Sequence, residues 1–256
     1  MNKKIVMVGA GNVATHIALT LASKGARPVQ VWSRSDEAAT ALASRVGSMS
    51  VTDINDIDGS ADIYLVSVAD NALADVIDRL CSKHRQGIFV HTAGTMPIDL
   101  FRGKAQHYGV LYPMQTFSKC KPLDFSEIPC FVEASDQASL MAIRQLAELL
   151  SNRVFELPGS DRRWLHVAAV FACNFSNACY AMAARLLEDH GLDFSMMLPL
   201  VDETTRKLHS LSPAEAQTGP AARGDRNVMA KHVAMLGDYP DLQAVYKLMS
   251  DEIIKQ

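Results

Sequence analysis

The sequence predicts an α/β fold, a doubly wound and mostly parallel sheet over residues 1–158 followed by an all-helical domain over residues 159–256. Three observations predict it. Short β-branched runs alternate with helical periodicity as far as Leu157, a two-glycine turn joins the first strand to the first helix, and no strand pattern follows Pro158-Gly159.

Taken in order, Lys3–Val8 is an apolar, β-branched run, Gly9–Ala14 a turn, and Asn12–Ser23 carries helical spacing through Val13, Ile17 and Leu21. Pro28–Trp32 reads as a second strand. Ser35–Val46 is an alanine-rich helix in which Ser35 caps the start and Asp36 and Glu37 favour its positive end. Further strands are expected near Met49–Thr52, Asp62–Val68 and Ile88–Ala93, with a helix over Asn71–Cys81. Beyond Met96 come strands at Tyr108–Met114, Pro129–Ala134 and Arg153–Leu157 around a helix at Gln137–Leu150. The helical domain is read as Asp161–His190, Phe194–Leu211, Asp225–Leu236 and Leu242–Ile254.

With 256 residues, 48% hydrophobic and 21% charged, the chain has the composition of a globular protein. A net charge of −3 gives no basic excess, which argues against nucleic-acid binding. The five cysteines form no C-x-x-C pair and read as reduced thiols of a cytoplasmic protein. Trp164–Ala184 lacks a formal charge and is long enough to cross a bilayer, but His166, Asn174, Ser176 and Asn177 argue for a buried helix and against a membrane partner. The histidines, His84 among them, show no metal-binding spacing, and no G-x-S-x-G elbow supports hydrolase chemistry.

Gly9-Ala10-Gly11-Asn12-Val13-Ala14 fits G-x-G-x-x-[GA] in the required strand-to-helix setting. In a dinucleotide site Gly9 allows the tight turn, Gly11 admits the pyrophosphate, and Asn12 and Val13 begin the helix that faces it. About 20 residues on, where an NAD site carries a carboxylate for the ribose, stand Ser33, Arg34 and Ser35. A guanidinium flanked by two hydroxyls suits a 2′-phosphate, so the expected cofactor is NADP(H). Val68 and Ala69, then Thr92 and Gly94, leave strands at the carboxyl edge where ligands bind, with Asp70 expected to cap a helix.

These features, together with Tyr112-Pro113-Met114-Gln115-Thr116-Phe117 and Thr218–Asp225, resemble a family of Rossmann-like NADP oxidoreductases with a helical C-terminal domain. That family is related to pyrroline-5-carboxylate reductase, to ketopantoate reductase and to the wider 6-phosphogluconate-dehydrogenase-like group. The resemblance covers nearly the whole chain. It implies a helical dimerisation domain and an active site in the cleft between the domains. Ketopantoate-reductase-like enzymes open the helical domain with Trp, a catalytic Lys two residues later, and asparagines four and eight residues beyond it. Here Trp164 and Asn174 match, His166 takes the lysine position and Val170 replaces the first asparagine.

The expected activity is hydride transfer to or from a small C=O or C=N compound bearing a carboxylate. Its alternative is a non-catalytic NADP(H) sensor or interaction protein. His166 is the expected proton donor, Tyr112 the second candidate, and Asn174 serves the far end of the substrate. Gln115 and Arg223 are expected to bind substrate, Arg223 through its carboxylate, while Asp225 caps the helix that follows.

Overall fold

Strand β1 (Ile5–Val8) alternates its side chains between two buried faces: Ile5 and Met7 enter one hydrophobic cluster, Val6 and Val8 another. A strand apolar on both sides belongs in the middle of a sheet covered twice by helices. The computed structural model describes residues 3–83 and 86–256. It bears this out with β2 (Gln30–Trp32), β3 (Met49–Val51), β4 (Ile63–Val66), β5 (Ile88–His91), β6 (His107–Pro113), β7 (Cys130–Ala134) and β8 (Val154–Glu156) in the order β3-β2-β1-β4-β5-β6-β7-β8. All neighbours pair in parallel except β6 and β7. The chain order reverses between β1 and β4, which opens a crevice at their carboxyl ends.

Helices α1 (Asn12–Ser23), α2 (Asp36–Val46) and α4 (Gln137–Leu150) supply Ile17, Leu21, Leu42, Ile143 and Leu146 to the cluster on the Ile5 face. Helix α3 (Asp70–Lys83) covers the other face with Leu73, Ile77 and Leu80, against Tyr64, Phe89 and Phe101. Ser35 caps α2 as expected, its hydroxyl accepting from the Ala38 N–H at 3.2 Å, and Gly47 closes that helix in the left-handed region at φ 66°. Asp70 departs from expectation. It is the first residue of α3, and its carboxylate accepts the Thr95 hydroxyl at 2.8 Å instead of capping the helix. Two short 3-10 turns, Ile54–Asp56 and Ile98–Phe101, carry no sequence signal because their apolar residues have no period of their own.

The chain divides into two compact units, Met1–Cys173 and Asn174–Gln256. The first includes α5 (Gly159–Ala169), and the division falls inside a π-helical segment, Val170–Phe175. An unbroken α-helix was expected there. A π turn has i→i+5 bonding, so α-helical arithmetic does not carry through it.

The second unit holds α6 (Ser176–Glu188), a 3-10 turn at Phe194–Met197, α7 (Leu198–Lys207), α8 (Pro213–Ala216), α9 (Arg226–Met235) and α10 (Pro240–Ile254). Asp225 caps α9 as expected by accepting from the Val228 N–H at 3.1 Å. Arg185 of α6 forks onto Asp241 of α10 through contacts of 2.9 and 3.1 Å. Within this unit only Ala221, Leu242 and Ser250 are buried, whereas Leu200 is 64% exposed and Met235 75% exposed. The helical stretch Gly159–Glu188 has the length and apolarity to cross a membrane, and none of its most apolar window is buried in the chain. The expected burial of this stretch is therefore absent within one chain.

All five cysteines are free, and burial pushes the Cys81 and Cys130 thiols up to about 12. Among the described residues no three His, Cys, Asp or Glu side chains gather as a metal cluster would. His84 lies outside the described residues.

Candidate active site

The crevice at the carboxyl ends of β1, β4, β5 and β6 is a cavity of about 590 Å³ that lies within the first unit. One wall is the glycine turn. Gly9 adopts φ 125°, and a Cβ there would sit 2.1 Å from the Ser67 carbonyl oxygen, so only glycine lets β1 turn this close to the end of β4. Gly11 has an ordinary φ of −75°, and a Cβ there would meet nothing within 4 Å; it leaves open space before the first turn of α1. That turn has no side-chain cap and no acidic residue, so its backbone N–H groups remain available to an anion.

Ser33 and Arg34 line the cavity after β2. Ser35 does not, since its hydroxyl is spent on capping α2. Asn12 and Val13 line it from α1, where the Asn12 amide donates to the Phe117 carbonyl at 2.9 Å and ties the β6–β7 connection to the helix start. Val68 and Ala69 form the β4 side. Thr92 and Gly94 form the β5 side, with the Thr92 hydroxyl donating to Ser67 Oγ at 3.0 Å.

Tyr112, at the end of β6, and His166, on α5, meet in the same cavity. The Tyr112 hydroxyl and His166 Nδ1 are 3.0 Å apart. Gly94 permits this meeting, because a Cβ there would lie 2.6 Å from His166 Nδ1 and 2.9 Å from the Tyr112 ring. Burial pushes the Tyr112 hydroxyl above its ordinary value, while the nearby Arg162 charge pulls it back. At the end of β5, burial draws the His91 imidazole down to about 3, and Arg162 adds to that shift. His91 is accordingly neutral at physiological pH. Gln115 lines the cavity, and its side-chain oxygen accepts from the Thr116 N–H at 2.8 Å. Asn174 and Arg223 belong to the second unit and are exposed.

Trp32, Ser67 from the Ser67–Asp70 strand end, and Phe117 from the Tyr112–Phe117 segment also line the cavity, although no role of their own is legible in the sequence; the buried Arg162 is the residue that sequence reasoning misses. Trp32 and Ser67 follow from their places at the ends of β2 and β4. Arg162 has no local signal, because its neighbour Arg163 is the same residue type and exposed.

Among solved structures, the crystal structure of a "putative NADP oxidoreductase" from Bacteroides fragilis is 46% identical to this chain, with a TM-score of 0.95. The match covers 99% of this chain and 98% of that one. This chain belongs to the family of that NADP oxidoreductase. A family model for a domain of unknown function (DUF2520) matches residues 128–253 of this family member, and one for shikimate / quinate 5-dehydrogenase matches residues 1–83. A Thermotoga maritima protein shares the fold at 20% identity and a TM-score of 0.82, covering 98% of this chain and all of its own. An imine reductase from Myxococcus stipitatus, solved in complex with NADP+, does so at 13% identity and 0.65, covering 98% of this chain and 92% of that one. No curated protein matches the sequence.

The cavity fits NADP(H). Gly11 leaves room for a pyrophosphate before uncapped N–H groups, and the place of a ribose-binding carboxylate is taken by Ser33 and Arg34.

Proposed function

We propose that this protein is an NADP(H)-dependent oxidoreductase that moves hydride to or from the carbon of a small, carboxylate-bearing C=O or C=N compound. The observation that carries this reading is the 3.0 Å Tyr112–His166 contact in the cavity that also holds the glycine turn. Bound NADP(H) would supply or accept the hydride. Gly9, Gly11, Asn12 and Val13 would seat its pyrophosphate, Ser33 and Arg34 would hold its 2′-phosphate, and Val68, Ala69, Thr92 and Gly94 would border its nicotinamide.

During reduction, negative charge grows on the acceptor oxygen or nitrogen, and a proton must reach it. The Tyr112 hydroxyl delivers that proton, His166 Nδ1 holds the hydroxyl in line, and solvent water returns a proton to the phenolate that remains. Gln115 orients the substrate. Asn174 and Arg223 lie in the second unit, and the proposal does not depend on them. The test is NADPH oxidation against a panel of cyclic imines and 2-keto acids. Tight NADPH binding without turnover of any member would instead favour a sensor.

The cofactor preference follows from Arg34. One charge-assisted phosphate contact gives a preference for NADPH over NADH of roughly tenfold to a hundredfold. Titration of both cofactors is expected to show it in the wild type and to show it lost in Arg34→Ala. Equal wild-type affinities would refute the assignment.

The second unit is proposed to pair with that of a second copy. An 83-residue unit (174 to 256) that buries only two hydrophobic side chains, Ala221 and Leu242, lacks the core that a domain of its size needs. Its outward Met196, Leu200, Met235 and Leu248 supply an apolar surface to be covered. Sedimentation at micromolar concentration, without detergent, is expected to give a homodimer; a monomer would contradict it. Free thiols at all five cysteines suit a cytoplasmic setting, which is the location proposed.

A further inference from the structure

Arg162 is 1% exposed, an uncommon place for a guanidinium. Its Nε donates to the Gly94 carbonyl at 3.2 Å, its Nη2 to the Met96 carbonyl at 2.7 Å, and its Nη1 to Glu133 Oε2 at 3.0 Å. Two segments converge on this one side chain, which itself stands on a third. Gly94 and Met96 belong to the loop that leaves β5, and Glu133 stands on β7 opposite Val110 of β6. Arg162 itself lies one helical turn before His166 on α5. Gly94, whose carbonyl it grips, packs against both Tyr112 and His166. Gly159, at the start of the same helix, passes so near that a Cβ there would be 3.1 Å from Glu133 Oε2 and 3.3 Å from Arg162 Nη2.

We infer that Arg162 is a positioning residue of this site: by clamping the Gly94–Met96 loop and Glu133 to the start of α5, it fixes the distance at which His166 meets Tyr112. The value of that contact for turnover rests on the function proposed above; the clamp itself does not. A role in stability alone explains the arrangement poorly, because a buried ion pair contributes little over an apolar residue of similar length. The donors also match their acceptors individually, with one guanidinium satisfying two carbonyls and a carboxylate from two different segments. The charged and titratable groups that act on the Tyr112 hydroxyl are His166 and Arg162, both from α5; Arg162 in turn is paired with Glu133 of β7 and acts on His91 of β5. Of these, Arg162 acts on the hydroxyl in the direction of easier ionisation.

The test reads the contact directly, by nitrogen-15 NMR of the His166 imidazole in the full-length protein without substrate. His166→Ala assigns the signals, and Tyr112→Phe gives their positions without the hydroxyl. Arg162→Met is expected to move the Nδ1 signal most of the way to the Tyr112→Phe position. Arg162→Lys keeps the charge but cannot span all three acceptors, and is expected to fall between. In turnover, Arg162→Met should lower kcat with the KM for NADPH unchanged. The alkaline limb of its pH profile should move upward, and Arg162→Lys should keep that limb at the wild-type pH. Wild-type imidazole signals in a folded Arg162→Met protein would overturn the inference. Should that variant fail to fold, unchanged signals in Arg162→Lys would overturn it instead. If Tyr112→Phe retains full turnover while Arg162→Met still shifts the imidazole, the proposed chemistry fails and the clamp stands.

Discussion

Replacing Tyr112 with Phe or His166 with Ala is expected to lower turnover by about 10²- to 10⁴-fold while leaving NADPH affinity at the wild-type level, the usual cost of losing a positioned proton donor. The double variant should be little worse than the poorer single one, because residues that act as a unit are strongly non-additive. Steady-state kinetics on a substrate from the imine and keto-acid panel checks both statements. The pH dependence has a defined sign. Burial raises the Tyr112 hydroxyl above its ordinary value, so the proton needed for reduction stays in place through neutral pH. Reduction should therefore fall only as the pH climbs beyond the ordinary phenol range, and the residual activity of Tyr112→Phe should lack that limb. Full activity in both single variants would assign the proton to water.

The glycine turn separates a folding role from a binding role at neighbouring positions. Gly9→Ala places a methyl group 2.1 Å from a backbone oxygen, at a φ that side chains rarely adopt. It is expected to cost at least about 2 kcal/mol, a fall of roughly 5 °C or more in melting temperature, and to abolish NADPH binding. Gly11→Ala meets nothing in the chain at an ordinary φ, so its melting temperature should match wild type. Its added methyl group occupies the space proposed for the pyrophosphate, and NADPH binding should still be lost. Thermal unfolding with and without cofactor distinguishes the two, and a stable, NADPH-binding Gly9→Ala protein would contradict this account.

The sheet was legible because each strand carries its own signal, β-branched residues bounded by glycine, proline or a cap, and because alternation with helices leaves few topologies. Strand ends shifted by a residue or two where apolar runs continue into loops, as at Ser67-Val68 beyond β4. The π segment at Val170–Phe175 was not legible, since its residues have the composition of the α-helix around it. Asp70 shows a different limit. Its position before an apolar run is that of a cap, and the partner that redirects it, Thr95, lies 25 residues on. Arg162 is the same case in stronger form, with a carboxylate 29 residues back and carbonyls 68 and 66 residues back deciding which of two adjacent arginines is drawn inside. Ser35 illustrates competition for one hydroxyl. Its sequence position suits both a helix cap and a ribose phosphate, and the local backbone bond takes it.

The sparse interior of the second unit also bears on how much of this protein a cell must make. When apolar helices are completed only by another copy, part of the folding free energy is supplied by association and varies with the logarithm of chain concentration. Under the pairing proposed here, a weakly expressed chain would leave its C-terminal helices open to proteolysis while the sheet stays intact. Supply above the dissociation constant would protect them, making abundance itself a determinant of whether the helical half persists.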